Sequence, residues 1–279
     1  MVADKRARIG IVATSSPFER DTADRVEALA KQLYPENPPE LIVHPNSFLH
    51  HNHFAGDDAA RAEGFLAIAN DPDIDALWFA RGGYGACRIA ETVLKQLEPA
   101  AMTKHYLGYS DAGVLLAGLY KAGCTVAHGP MCQDIWRTNG ETAIKRALKW
   151  LVERDPATLE PSLADGRPAA AFNMISLSQI IGTPLQPDLR NHVLMLEEVS
   201  EYMYRIDRAM HHITANPGIR QVAGIRLGRC SDIPENDIDF GMTAEEIVRH
   251  WCGVSGIPWL GEADIGHDAA NRIVPFGAV

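Results

Sequence analysis

The sequence predicts an α/β protein: a parallel-sheet, flavodoxin- or Rossmann-like N-terminal domain, then a smaller, β-rich C-terminal domain. Three observations carry that expectation. Short β-branched runs alternate with amphipathic helical stretches through the first half of the chain. Turns rich in glycine or serine follow two of those runs directly, as at the C-terminal edge of a parallel sheet. Near position 150 the pattern changes, and Pro156, Pro161, Gly166 and Pro168 fall within one charged stretch. The expected division is 1–150, a linker at 151–168, and 169–279.

The elements follow in order. Arg8 to Thr14 is an apolar, β-branched run closed by Ser15, Ser16 and Pro17, and reads as a buried first strand. Val26, Leu29, Ala30 and Leu33 recur at helical spacing in Thr22 to Leu33. Glu40 to Val43 is a second strand. Asp57 to Ala69 is a helix, with Ala60, Gly64, Ala67 and Ile68 on one side. Ala76 to Ala80 is a third strand, followed at once by Arg81-Gly82-Gly83-Tyr84-Gly85 and a helix over Cys87 to Lys95. His105 to Tyr109 is a fourth strand, leading through Ser110-Asp111 into a helix at Ala112 to Lys121. Beyond the linker, Ala169 to Phe172, His192 to Val199 and Val222 to Leu227 read as strands. Helices start near Tyr204 and near Thr243, whose Glu246 completes a T-x-x-E capping box.

Composition narrows the function. The 279 residues carry 26 Lys and Arg against 36 Asp and Glu, a net charge of −10, so a phosphate backbone is a poor partner and nucleic acid is not expected. No run of about 18 apolar residues exists to span a bilayer. Ile9 to Ala13 is too short for a signal-peptide core, and the expected setting is the cytoplasm. The five cysteines, Cys87, Cys124, Cys132, Cys230 and Cys252, form no C-x-x-C pair and read as reduced thiols. His50-His51-Asn52-His53 is rich in ligand atoms but lacks paired metal spacing, and neither a metal nor a cofactor is expected.

The chemistry concentrates on two turns. A serine between a strand and a helix projects its hydroxyl clear of the sheet, and the helix N-terminus offers free N–H groups to a developing oxyanion. Ser110 stands there, although Gly113 comes one residue too late for G-x-S-x-G, and a plain helix cap is the competing reading. Arg81 to Gly85 fits neither a dinucleotide nor a phosphate loop, which leaves exposed backbone donors beside the serine. A serine nucleophile needs a base held by a carboxylate. His267 stands in a short polar turn. Glu197 and Glu198 end a strand, on opposite faces by the period of two.

These segments together resemble the LD-carboxypeptidase family, the S66 serine peptidases. The matching residues are Val12 to Pro17, His53 to Asp58 with Arg61, Ala80 to Gly85 with Arg88, and Gly108 to Asp111. In the second half they are Ile181 to Pro184, Leu196 to Val199, Tyr204 to Arg208, Gly266-His267 and Pro275 to Gly277. The resemblance implies a two-domain peptidase with a Ser-Glu-His triad, here Ser110 as nucleophile, Glu197 as orienting acid and His267 as base. It implies a murein tetrapeptide substrate, cut between the L-centre of meso-diaminopimelate and terminal D-Ala in cell-wall recycling, and a homodimer. The amide of Asp111, with Gly82 or Gly83, is expected to form the oxyanion hole. Arg81 is expected to meet the substrate carboxylate, since guanidinium matches it bidentately. Asn173 is a further substrate-binding candidate, where the family carries Gly-Gly-Asn and this chain Ala171-Phe172-Asn173. The bulk of Phe172 is expected to alter the cleft. The chain also looks short around Thr138 to Pro168, a place for a substrate-selecting loop. Two alternatives stand beside this reading. One is a microcin-immunity-like hydrolase of peptidyl-nucleotide amides, with Trp136 as the residue to stack a base, though that side chain is expected to be buried. The other is a non-catalytic small-molecule binding protein on the same scaffold.

Overall fold

The structure, a computed structural model, describes residues 6–278; positions 1–5, at the head of the segment read for a leader, lie outside the described residues. The first sheet is built from β1 (Arg8–Val12), β2 (Glu40–Val43), β3 (Ala76–Phe79), β4 (His105–Gly108) and β5 (Thr125–His128), all parallel. Between them run α1 (Arg20–Leu33), α2 (Asp58–Ala69), α3 (Ala86–Leu94) and α4 (Gly113–Lys121). β3 is fully buried, which explains its unbroken apolar run: a central parallel strand is covered on both faces. After β5 the chain forms a 3-10 turn at Cys132–Trp136 and α5 (Gly140–Glu153), so α5 runs into the stretch expected as linker. Neither β5 nor α5 was expected from the sequence, and a four-residue strand leaves little periodicity to find.

A second sheet holds β6 (Ala169–Asn173), β7 (Val193–Val199), β8 (Gly224–Ser231) and β9 (Trp259–Glu262) in that order, again all parallel. Its crossovers are α6 (Met174–Ile180), α7 (Met203–Ala215) and α8 (Ala244–Ser255). Thr243 caps α8 with the reciprocal Glu246 contact that its sequence signalled. The last strand, β10 (Val274–Pro275), returns to the first sheet and pairs antiparallel with β5. One continuous core joins the two sheets, running from Phe65, Phe79 and Leu115 to Phe172, Leu196 and Phe276. Phe172 belongs to that core. Its ring lies over Gly113, 5.0 Å from Phe276, with only 1% of its surface exposed. The expectation that its bulk reshapes the cleft is therefore corrected: on β6 this side chain faces inward, between the sheets.

Candidate active site

Ser110 sits at the end of β4, the first residue of a 3-10 turn (Ser110–Ala112) that feeds α4. Its φ is +59°, in the left-handed region that a residue with a Cβ occupies at a cost of about 1–3 kcal/mol. Such a conformation persists where the surroundings over-determine it. Here Asp111 does much of that work: its buried carboxylate accepts from the Ser15 hydroxyl and, at 2.9 Å, from the Ala86 amide at the start of α3. Burial raises the Asp111 pKa, and those two donors and the Arg61 charge act against the rise.

The glycine loop closes over the same point. A Cβ on Gly82 would stand 3.1 Å from Ser110 Oγ. Gly83 has φ of +115°, and a Cβ there would meet Ser16 Oγ at 2.1 Å, so only glycine fits. The Gly82 and Gly83 amides have no acceptor among the described residues. Arg61, fully buried, anchors the loop: Nη1 donates to the carbonyls of Thr14 (2.5 Å) and Gly85 (2.8 Å), while Asp58 pairs with Nη2. Arg81, half-buried, sends Nη1 to the Pro17 carbonyl at 3.1 Å.

His267 and Glu197 come from the second sheet. Ser110 Oγ donates to His267 Nε2 at 3.0 Å, and His267 Nδ1 donates to Glu197 Oε2 at 2.6 Å. A carboxylate only accepts, so its contact fixes the proton on Nδ1 and leaves Nε2 as an acceptor facing the serine. Burial lowers the His267 pKa, but the charge of Glu197 and its hydrogen bond outweigh burial, and the net shift is upward. Glu198 faces the other way, accepting from Asn173 Nδ2 and from the amides of Ile175 and Val199. Burial, with the neighbouring Glu197, raises its pKa to about 7. Asn173 also caps α6 through the Ser176 amide, so both ends of its side chain are engaged within the fold.

Several supports were not singled out in the sequence. The pairing of β7 with β8 slips between Leu196 and Glu198, so Gly228 and Arg229 together lie opposite Glu197. A Cβ on Gly228 would press on the Ile265 carbonyl at 2.7 Å and on Glu197 Cβ at 3.0 Å. Arg229 grips Asp264 and Asp268, on either side of His267. Asn271 Oδ1 accepts from the Gly266 amide and from His128 Nε2, and burial holds the His128 pKa down to about 4. Bulges carry no sequence signature of their own; a glycine inside a strand run is the only available sign.

The other candidates fall elsewhere. Trp136 is 50% exposed, against the expected burial. Its Nε1 donates to Thr22 and Arg25 lies 4.8 Å over its ring, which holds it against α1. Among the described residues, no group of three or more His, Cys, Asp or Glu is arranged to hold a metal. No described helix is long and apolar enough to cross a membrane, and all five cysteines are unpaired.

Comparison with known proteins gives a consistent result. The family models for the LD-carboxypeptidase N-terminal and C-terminal domains match residues 9–129 and 170–279. A Synechocystis protein whose name proposes a carboxypeptidase is 33% identical over 82% of this chain and 77% of its own. The murein tetrapeptide carboxypeptidase of Pseudomonas aeruginosa is 25% identical, over 96% of this chain and 91% of its own. Among solved structures, the muramoyltetrapeptide carboxypeptidase of Oxalobacter formigenes superposes with a TM-score of 0.80 at 20% identity, covering 97% and 93% of the two chains. MccF bound to glutamyl sulfamoyl guanosine superposes with a TM-score of 0.79 at 18% identity, covering 99% and 92%.

Proposed function

The chain belongs to the LD-carboxypeptidase family, and from that premise we propose that it is a serine peptidase that releases terminal D-Ala from murein tetrapeptide. The observation that carries the reading is the hydrogen-bonded series Ser110, His267, Glu197 beside the unpaired Gly82 and Gly83 amides. In this mechanism His267 Nε2 takes the Ser110 proton as Oγ attacks the carbonyl carbon next to the L-centre of meso-diaminopimelate. Glu197 stabilises the imidazolium that forms. The Asp111 amide, with Gly82 or Gly83, holds the oxyanion, where one such donor is worth about 3 kcal/mol. Imidazolium Nε2–H then protonates the departing D-Ala amine as the C–N bond breaks. Water, deprotonated by the same nitrogen, hydrolyses the acyl-enzyme. A carboxypeptidase must also hold a free carboxylate, and two guanidinium groups are candidates: Arg81 on the glycine loop, and Arg137, which reaches the hydroxyl of Tyr109, the residue before Ser110. The setting we propose is cytoplasmic recycling of cell-wall peptides by a homodimer.

The test is release of D-Ala from purified murein tetrapeptide by the wild type and by Ser110→Ala. Release by the wild type alone supports the reading. Equal release by both means that Ser110 only caps a helix. No release by either, with cleavage of a peptidyl-nucleotide conjugate, transfers the same chemistry to a different substrate. A ring blocking the cleft at Phe172 would have favoured the non-catalytic alternative; that ring is instead buried in the core.

A further inference from the structure

Tyr109 connects the nucleophile to a cation outside the triad. Its backbone leads directly into Ser110, and its ring lies 4.7 Å from the His267 ring. Its buried hydroxyl donates to Asp134 Oδ1 at 2.8 Å and accepts from Arg137 Nη2 at 3.3 Å. Arg137 Nε donates to the same Asp134 oxygen at 2.6 Å, while Asp134 Oδ2 accepts from the Met131 amide at 2.9 Å. The guanidinium plane is therefore fixed along the edge that carries Nε and Nη2. A guanidinium carries five N–H donors. Two are engaged here, and the others find no acceptor among the described residues. The side chain is 34% exposed, so part of it reaches solvent. Its charge also reaches the site, since it opposes protonation of His267.

From this arrangement we infer that Arg137 is the seat of the substrate's terminal carboxylate, a specificity residue that ranks the free acid above its amide. The inference rests on the peptidase reading above and names the group that recognises the leaving residue. A planar fork held rigid on one edge presents its other donors at the spacing of two carboxylate oxygens, and loses less side-chain entropy in doing so. Arg81 is the weaker choice, because its single contact among the described residues, Nη1 to the Pro17 carbonyl, does not fix the plane of its guanidinium.

The test measures binding without turnover. In a Ser110→Ala background, the affinity for murein tetrapeptide is compared with that for the same peptide ending in D-alaninamide. The expected result is a preference for the acid that Arg137→Gln reduces between about tenfold and a hundredfold, the range for charge-assisted hydrogen bonds. Affinity for the amide is expected to stay nearly constant. Arg137→Lys, which keeps the charge and loses the fork, is expected to fall in between and guards against a misfolded glutamine variant. Equal weakening for both peptides means that Arg137 only braces Tyr109, and overturns the inference. So does a preference that survives Arg137→Gln, or one erased by Arg81→Gln instead. If the Ser110→Ala protein binds neither peptide, the inference fails together with the substrate; D-Ala release by the wild type tells that case from a fault confined to Arg137.

Discussion

The two sheets each bring chemistry to a C-terminal edge, but they make it in different ways. On the first sheet the functional groups are set by backbone conformation. Ser110 and Gly83 both have positive φ, and the pieces around them are tied by Asp111 and Arg61. On the second sheet they are set by burial. Glu197 and Glu198 are 0% and 2% exposed, within a strand, and gain their properties from what surrounds them. The comparison teaches that positioning and tuning are separable tasks. One edge supplies the rigid, strained serine proposed as nucleophile, with unpaired backbone donors; the other supplies the electrostatics that give His267 its proton affinity.

That division predicts different failures. Glu197→Gln is expected to cost the most after loss of the nucleophile itself, on the order of 10⁴ in kcat, as for a triad acid made neutral. The same variant tests tuning directly. Followed by NMR, the wild-type His267 ring is expected to titrate above 6.5, so activity falls as pH drops through that midpoint. In Glu197→Gln the midpoint is expected below 6.5, because burial then acts without its counter-charge. Gly83→Ala and Gly228→Ala are each expected to cost about 10²–10³ in kcat, the scale of one lost oxyanion donor or a comparable displacement. Gly83→Ala should leave the His267 midpoint unchanged, whereas Gly228→Ala, pressing on the Ile265 carbonyl and Glu197, should move it. A shift in both variants would break the comparison.

The smallest effect concerns Glu198. Its pKa rises from 4.5 to about 7 on folding, so the native state holds the proton more tightly than the unfolded chain. Stability is therefore expected to fall as pH rises from about 4.5 through about 7, at no more than about 1.4 kcal/mol per unit. Glu198→Gln should flatten that slope in denaturant titrations. If the slope persists, another group carries it.

The same contrast explains what could be read in the sequence. The first edge is local: strand, glycines, strand and serine follow one another along the chain, and each turn residue is visible in its own window. Ser110 stood out for that reason before any partner was known. Glu197 and Glu198 were legible as a pair on opposite faces, but not which face met a histidine, because that depends on the slipped register opposite Gly228 and Arg229. Arg137 stayed hidden because its meaning arises from Tyr109 and Asp134, brought together only by the fold. Phe172 and Trp136 depart from expectation for a related reason. Residue type ranks how often a side chain is buried, and bulk how much space it takes, but neither tells which layer a particular position meets.

The return of β10 to the first sheet has a consequence in time. Ser110 and His267 are 157 positions apart, and the segment carrying His267 is held by Arg229, through Asp264 and Asp268, and by the pairing of Val274 and Pro275 with β5. In a chain emerging from the ribosome N-terminus first, the strand and turn that carry Ser110 are made long before His267 and its anchoring strand. Nascent fragments therefore present the serine without its partner, and under the proposed mechanism hydrolytic competence arises only once residues 267–275 clear the exit. The fold thereby ties the proposed activity to the late arrival of β10.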